Sequence, residues 1–550
     1  MNTIKRFFLL SVLFLGLHSA FSQTINPVIS AIQKEVERNK SNLTMDGMAP
    51  PFFISYLIVD RHDYNLYASL GKIRNSNEYR QRRGVPNLLV GDYHRNNLNI
   101  VGGLPSPSLT SLYDNDSGIP LTIWRDLDAA YKGAAERYRT KMAMLQQQTL
   151  TPEEQQLPDL QQVEPVSMIL QPANINFDKA YWENYLRKAS ETAKQYPDIL
   201  NSSIALNVRN IMLYTYNTEG SSYAVPSTFY QLIFTASVRA DDGQQLSRTI
   251  YVENATFEQM PDLATFSNRC KTEMENLLQL MRTPVVNDAY SGPVLFEDAA
   301  AIDIFRQAFF NNNRLAASPS QLQLQRTSGA FQGGNSFELM LNKKVISRDF
   351  TIKSITGQEF YNGQRLNGYY PIDAEGVIPD KELVLIEKGV LRNLLNGRRP
   401  TKKIAQSNGH VRYEYNNNSF QTLPGNILIT SDKTFSRDEL RKKLIEAAKE
   451  EDLEYAYIVK VMDGGGSNYI YRIYVDDGRE ELVRGATVVD AGNIKAFKRI
   501  LGASNQNIIT SFNSVQTTVI APDAILFEEI DITRIPNIDF KKPFFVEKPK

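Results

Sequence analysis

The chain has 550 residues, 42% of them hydrophobic, and 61 basic against 61 acidic side chains, enough for two or more domains with sizeable cores. The even charge balance argues against nucleic acid as the main partner, because phosphate binding draws on a cationic excess. A single cysteine, Cys270, excludes an internal disulfide, so stability has to come from the cores.

Lys5 and Arg6 precede an apolar run from Phe7 to Leu17, and small residues at Ala20 and Ser22 precede Gln23. This pattern predicts a secretory signal peptide over residues 1–22, cleaved before Gln23, and an exported protein, periplasmic or secreted. Its apolar run is too short to span a bilayer, and no later stretch approaches the roughly 20 apolar residues a membrane helix needs. Without residues 1–22 the balance is 59 basic to 61 acidic over 528 residues.

Ile25, Val28, Ile29, Ile32 and Val36 recur at helical spacing and predict an amphipathic helix ending near Asn42. Residues 51–76 hold two apolar runs separated by Asp60 to Asp63, which reads as a hairpin turning at those polar residues. A further strand is expected around Val90. Leu127, Ala130, Tyr131, Ala134, Ala135, Tyr138, Met142 and Leu145 form a long helical stripe. Gln146 to Pro165, rich in glutamine and proline, reads as a linker or loop, and about 96–165 as an insertion. Phe177 to Ala193 predicts a second helix stopped by Pro197. Strand patterns follow at 203–217, 230–240 and 245–254, then a helix with Phe266, Cys270, Met274 and Leu277 on one face. That company makes Cys270 a buried thiol rather than a reactive one.

Residues 283–292 make the expected domain boundary, giving an N-terminal domain over 23–285 and a C-terminal one over 286–550. The second is dominated by strand patterns at 337–355, 383–395, 426–429, 455–462, 469–475 and 517–532. A hairpin turn is expected at Asp477-Gly478. One helix interrupts them, opened by a capping box of Ser436 and Glu439. Tyr113 to Gly118 lacks the acidic twelfth position of a calcium loop, where Arg125 stands. Gly464 to Gly466 lacks the lysine and hydroxyl residue of a phosphate loop and reads as a turn. There is no GxSxG and no internal repeat.

Tyr290 to Phe310 reads YSGPVLFEDAAAIDIFRQAFF, a turn, a short apolar strand, an acidic pair and a helix-period run. The stretch matches Tyr-x-Gly-Pro-Val-x-Phe-Glu-x-x-Ala-Ala, which opens the C-terminal domain in the exported branch of the TldD/PmbA peptidase family. Pro51-Phe52-Phe53 with Tyr56, Ala68-Ser69-Leu70-Gly71 and Val90-Gly91-Asp92-Tyr93 resemble its N-terminal blocks. Glu375-Gly376-Val377, Ile386 to Leu391, Ser407 to His410 with Arg412, Pro424-Gly425-Asn426, Glu480 to Gly485, and Ala521-Pro522 with Leu526-Phe527 resemble later ones, in family order.

The resemblance implies an α+β fold of two domains, a mixed α/β N-terminal one and a mainly antiparallel β C-terminal one. It also implies where chemistry would sit. Metal-binding members carry HExxxH, two imidazoles for a divalent metal and a glutamate as general base. In that register Phe296 and Ala301 replace the histidines and Glu297 keeps the position of the base. The third ligand of that branch, a late cysteine, is missing, since Cys270 lies well before that domain. Zinc is therefore expected only if other ligands assemble. Without a metal, Glu297 reads as a helix-start carboxylate favoured by the dipole.

The family's paired subunits, one metal-bearing and one lacking ligands, imply a homodimer or heterodimer with a metal-bearing member. The first reading is thus a degenerate peptidase homologue that binds extended or unfolded peptide, by strand addition to a sheet edge. Asn408, Gly409, His410 and Arg412 are the peptide-binding candidates. Against this, His410 alone reads as a turn histidine with an exposed ring. A second reading is a metallopeptidase with Glu297, Asp298 and His410 converging on one pocket. A third is a structural envelope-interaction protein, with neither pocket nor free strand edge.

Overall fold

The computed structural model describes residues 26–100, 118–147, 150–319, 337–415, 419–462, 467–512 and 516–535. The expected signal peptide, residues 113–117 and the glycine turn at 464–466 lie outside them. Helix α1 (Pro27–Asn42) is opened by the Asn26 side chain and buries Ile29, Ile32 and Val36, the stripe read from its spacing. Strands β1 (Pro51–Ser69) and β2 (Lys72–Val90) form one long hairpin. Its turn is at Leu70-Gly71, where both residues have positive φ, and not at Asp60 to Asp63 as expected. The polar residues stay in the strand because each charge finds a partner. Asp60 meets Arg80 at 3.2 Å and Arg82 at 2.5 Å, while Asp63 meets Arg61 at 2.5 Å.

Helix α2 (Gly118–Gln147) lies over β2, and the short α3 (Pro152–Gln156) is the helical part of the expected linker. After β3 (Ser167–Ile169) and α4 (Lys179–Glu191) come β4 (Asn201–Asn217), β5 (Ser222–Arg239) and β6 (Gln245–Asn254). The sheet runs β2-β1-β4-β5, with β3 and β6 on the outer edge of β5. Strand alternation divides its two faces. Even-numbered Ile54, Tyr56, Ile58, Leu66 and Ala68 pack under helices that include α2, α4 and α5 (Leu263–Arg282). Cys270 is fully buried there, and burial pushes its thiol up to about 12. Odd-numbered Leu57 and Val59 face Tyr413 of the C-terminal half instead.

Strand β7 (Tyr290–Glu297) lies inside an eight-stranded sheet, parallel to Tyr455–Val461 and antiparallel to Ala524–Arg534. Strand β8 (Phe350–Ser354) belongs to a six-stranded sheet, between Leu383–Glu387 and Asn426–Ser431. Pairing is mostly antiparallel, with parallel pairs at Asn426–Ser431 and at Thr434–Phe435 as well. Of the expected strand at 337–355 only β8 forms. A 3-10 turn and loop precede it, its first residues covering the core through Phe337, Val345 and Ile346. Helix α6 (Ala299–Phe305) continues into a π-turn at Arg306–Phe310, and α7 (Arg437–Glu450) carries the expected Ser436–Glu439 capping box. The expected turn at Asp477-Gly478 joins Tyr469–Tyr474 to Glu480–Val483, with Gly478 at φ 71. Among the described residues no helix is long and apolar enough to cross a membrane.

Candidate functional site

Phe296 and Glu297 are the last two residues of β7, so the pleat sends their side chains to opposite faces of the sheet. Phe296 is fully buried in the large core with Ala301, Phe305 and Phe527. Leu295, on the other face, packs against Leu440 and Leu444 of α7. Glu297 shares that second face, 1% exposed, and Arg441 of α7 grips it with two bonds of 3.0 Å. Arg441 also meets Glu480 at 2.7 Å, and Lys460 lies 4.0 Å from Glu297 and 3.5 Å from Glu480. Glu297 is therefore not held by a helix dipole, as expected from the sequence. It ends a strand and is neutralised by a bidentate guanidinium, the strongest of the side-chain ion pairs.

Asp298 turns the chain from β7 into α6 with φ at 54. That conformation is costly for a residue that carries a Cβ and is held from outside. Its N–H donates to the Asp523 carbonyl at 2.8 Å, and Arg437 bridges its carboxylate to that of Asp523 at 2.6 and 2.7 Å. Glu297, Asp298 and His410 each have partners of their own and do not converge on one pocket. Among the described residues no group of three histidine, cysteine or carboxylate side chains is placed to hold a metal ion. Zinc does not fit the register of Phe296 and Ala301, where both positions are filled by fully buried apolar side chains without a lone pair.

The segment from Asn408 to Arg412 is built differently. Gly409 has φ +74, and a Cβ there would lie 2.8 Å from the Pro379 backbone, so only glycine fits. His410 is buried, not exposed as a lone turn histidine was expected to be. Its Nδ1 donates to Asn408 Oδ1 at 2.9 Å, which leaves Nε2 to accept from Ser354 Oγ at 2.8 Å. Burial pushes the imidazole down to about 4, with the Asn408 backbone opposing and Arg412's charge assisting. Asn408 also donates to the Leu394 carbonyl and accepts from the Asn396 N–H, at 2.8 Å each. Asn408 and His410 thus brace the wall, and Arg412 alone of the four lines the cavity beside it.

That cavity, of about 410 Å³, lies between the odd-numbered face of the N-terminal sheet and segments 359–374 and 411–415. The Arg412 guanidinium sits 4.7 Å from the centre of the Tyr370 ring and donates to the carbonyls of Pro424, at 3.3 Å, and Gln516. Among the described residues it has no carboxylate partner. Tyr370 donates to the Gly409 carbonyl at 2.9 Å, tying the wall to the turn. Asp373 accepts from the N–H groups of Glu375, Val377 and Val411. Burial and the nearby Glu375 charge still push its carboxyl upward.

One backbone edge opens into the same space. On the outer side of β5, residues 222–224 pair with β3 and residues 230–239 with β6. Val225 to Phe229 between them have no strand on that side among the described residues, and Val225, Pro226, Ser227 and Thr228 line the cavity. Gln516 reaches into this gap, its side-chain N–H donating to the Thr228 carbonyl at 2.5 Å as a neighbouring strand would. Tyr370, Asp373, Gln516 and this edge were not singled out in the sequence. Pro226 was an available signal, since proline in a sheet marks an edge. A second cavity, of about 380 Å³, is bounded by Phe53, Leu89, Arg137, Leu160 and Arg399, with the carboxylates of Asp126 and Glu375 also in its wall.

Residues 290–534 match the family model described as PmbA/TldA metallopeptidase C-terminal domain. Solved structures share the fold over nearly the whole chain. A protein of Thermotoga maritima described as a candidate modulator of a DNA gyrase has TM-score 0.58 at 14% identity, covering 92% of this chain and 99% of that one. TldE of Thermococcus kodakarensis gives 0.55 at 13%, with 92% and 100% covered. A candidate gyrase modulator of Bacteroides thetaiotaomicron gives 0.56 at 12%, with 92% and 98%. No curated protein matches.

Proposed function

We propose that this protein, whose residues 290–534 match the family model described as PmbA/TldA metallopeptidase C-terminal domain and which shares its fold with the solved TldE structure over 92% of the chain, is a degenerate peptidase homologue that binds extended peptide. The observation that carries the reading is a pairing of absence and presence. The two positions that would hold histidines are buried phenylalanine and alanine, while the cavity keeps a stretch of β5 edge that among the described residues meets the Gln516 side chain but no strand, beside an arginine without a carboxylate partner. An extended peptide laid along Val225 to Phe229 gains main-chain hydrogen bonds without any demand on its sequence. Arg412, resting on the Tyr370 ring, is placed to receive a backbone carbonyl or a carboxylate of that peptide.

In this reading the protein is exported after cleavage near Gln23 and serves as the ligand-free member of a dimer whose other subunit carries the metal. Metal content of the purified protein, and of its Glu297→Gln variant, tests the chemistry. Less than a tenth of an equivalent of zinc or other transition metal in both is expected. Stoichiometric metal lost in the variant would overturn the reading. Calorimetry with unstructured decapeptides tests the binding, and capture of a metal-bearing family member by the tagged protein tests the partnership.

A further inference from the structure

We propose that the second cavity is a binding site of its own for a small apolar carboxylic acid, whose head group is received by Arg137 and Arg399. The cavity lies where α2 and β2 meet residues 374–375, 398–399 and 419–420 of the C-terminal half. From α2 it takes Asp126, Ala129, Ala130 and Arg137, a spacing that puts all four on one side of the helix. Phe53, Leu88, Leu89, Leu98, Leu160 and Phe420 give it an apolar wall. About 380 Å³ of mainly apolar space with a few polar groups is the make-up of a small-molecule pocket. Leu57, Tyr223 and Ala374 line both cavities and so form the partition between them. The Tyr223 hydroxyl ties that partition by donating to the Ala374 carbonyl at 3.1 Å.

The charged groups of the wall differ in what they already hold. Asp126 accepts from the Tyr56 hydroxyl at 2.7 Å, and Glu375 from the Arg398 N–H at 2.6 Å. The Arg398 guanidinium is taken by Glu219 at 2.8 Å. One turn beyond Arg137, Lys141 is neutralised by Asp159 at 2.5 Å. Arg137 has no such acid among the described residues. Its Nε is buried without a hydrogen-bond partner, and burial lowers its pKa. Asp126 stands eleven residues back on the same helix, about 16 Å along the axis. That is about twice the screening length at physiological salt, too far to neutralise it. The Arg399 side chain also has neither ion pair nor hydrogen bond among the described residues.

A guanidinium presents a planar fork of donors that a carboxylate fills with two parallel bonds. The apolar wall then takes the body behind that head. A singly charged head fits better than a phosphate, because Asp126 and Glu375 face the same space and repel further negative charge.

The test is calorimetry on the full chain at neutral pH with octanoate, 1-octanol and acetate. Octanoate is expected to bind about tenfold more tightly than octanol, and acetate, a head without a body, not measurably. Arg137→Gln should cost octanoate about tenfold and leave octanol unchanged, and Arg399→Gln should cost it several-fold, with melting followed to confirm that both variants fold. Absence of octanoate binding, or equal affinity for octanoate and octanol, would overturn the proposal. A preference for octanoate that survives both substitutions would place its carboxylate elsewhere and overturn it as well. Displacement of octanoate by an unstructured decapeptide would put both in one site and end the claim of a separate one.

Discussion

The end of β7 at Glu297 and the cavity beside Arg412 hold similar groups, buried carboxylates, arginines and tyrosines, yet differ in how those groups are spent. At Glu297 each carboxylate has its guanidinium: Arg441 for Glu297 and Glu480, Arg437 for Asp298 and Asp523. At the cavity, Arg412 rests on carbonyls and an aromatic ring, and among the described residues the β5 edge between β3 and β6 has no strand beside it. The first network neutralises its charges, leaving Asp523 Oδ1 as its one buried oxygen without a partner, and fixes two elements against each other. At the cavity, Arg412 is hydrogen-bonded but has no carboxylate partner among the described residues, so an incoming carboxylate would supply the charge it lacks. The family resemblance directed attention to the first region, and the physical chemistry favours the second.

That contrast is most open to attack at Arg441. Arg441→Met leaves the buried Glu297 charge with only Lys460 at 4.0 Å and is expected to lower unfolding stability by about 3 kcal/mol in urea titrations, while Arg441→Met with Glu297→Leu regains most of it. A single variant as stable as the parent would mean that the pair does not hold α7 to the sheet.

His410 sharpens the comparison through pH. Its folded value, about 4, lies below the ordinary 6.5, so the unfolded chain binds the proton first and stability is lost as pH falls from 6.5 toward 4. The loss is expected to reach about 2–3 kcal/mol, and His410→Gln should be missing that share when denaturation is repeated across the range.

Glu253, at the rim of the N-terminal sheet, has the opposite sign. Burial raises it to about 7, Gln231 donates to one oxygen at 2.6 Å, and the other oxygen has no partner. Its contribution is therefore full below about pH 4.5 and declines as pH rises toward 7, by about 1–2 kcal/mol. Glu253→Gln should flatten that decline; an unchanged slope would show the carboxylate to be solvated.

The smallest expected effect is on binding. Arg412→Gln should weaken a decapeptide about tenfold, near 1.4 kcal/mol, and Arg412→Lys should not restore it, because an ammonium cannot stack on Tyr370 while donating in a plane. Rescue by lysine would reduce Arg412 to a point charge.

Much of the fold was legible because its signals are local. The stripes of α1, α4 and α5, the capping box at Ser436 and the turn at Asp477-Gly478 each need only a few neighbouring residues to be read. The hairpin turn was misplaced for the complementary reason. Asp60 to Asp63 look like a turn until Arg80, Arg82 and Arg209, distant in sequence, supply the charges that keep them in a strand. His410 was misread for the same cause, since Ser354 lies 56 residues away.

By itself the sequence determined that no HExxxH motif is present, the family-like blocks and the α+β pattern, because residue chemistry and short-range periodicity are written in consecutive letters. Only the tertiary structure decided that Glu297 belongs to Arg441, that Arg412 faces a cavity, and that Val225 to Phe229 of β5 meet Gln516 and no strand among the described residues. Those outcomes depend on which side chains and strands meet across separations of tens to hundreds of residues, and no local pattern encodes whether a buried charge or a backbone edge finds its partner.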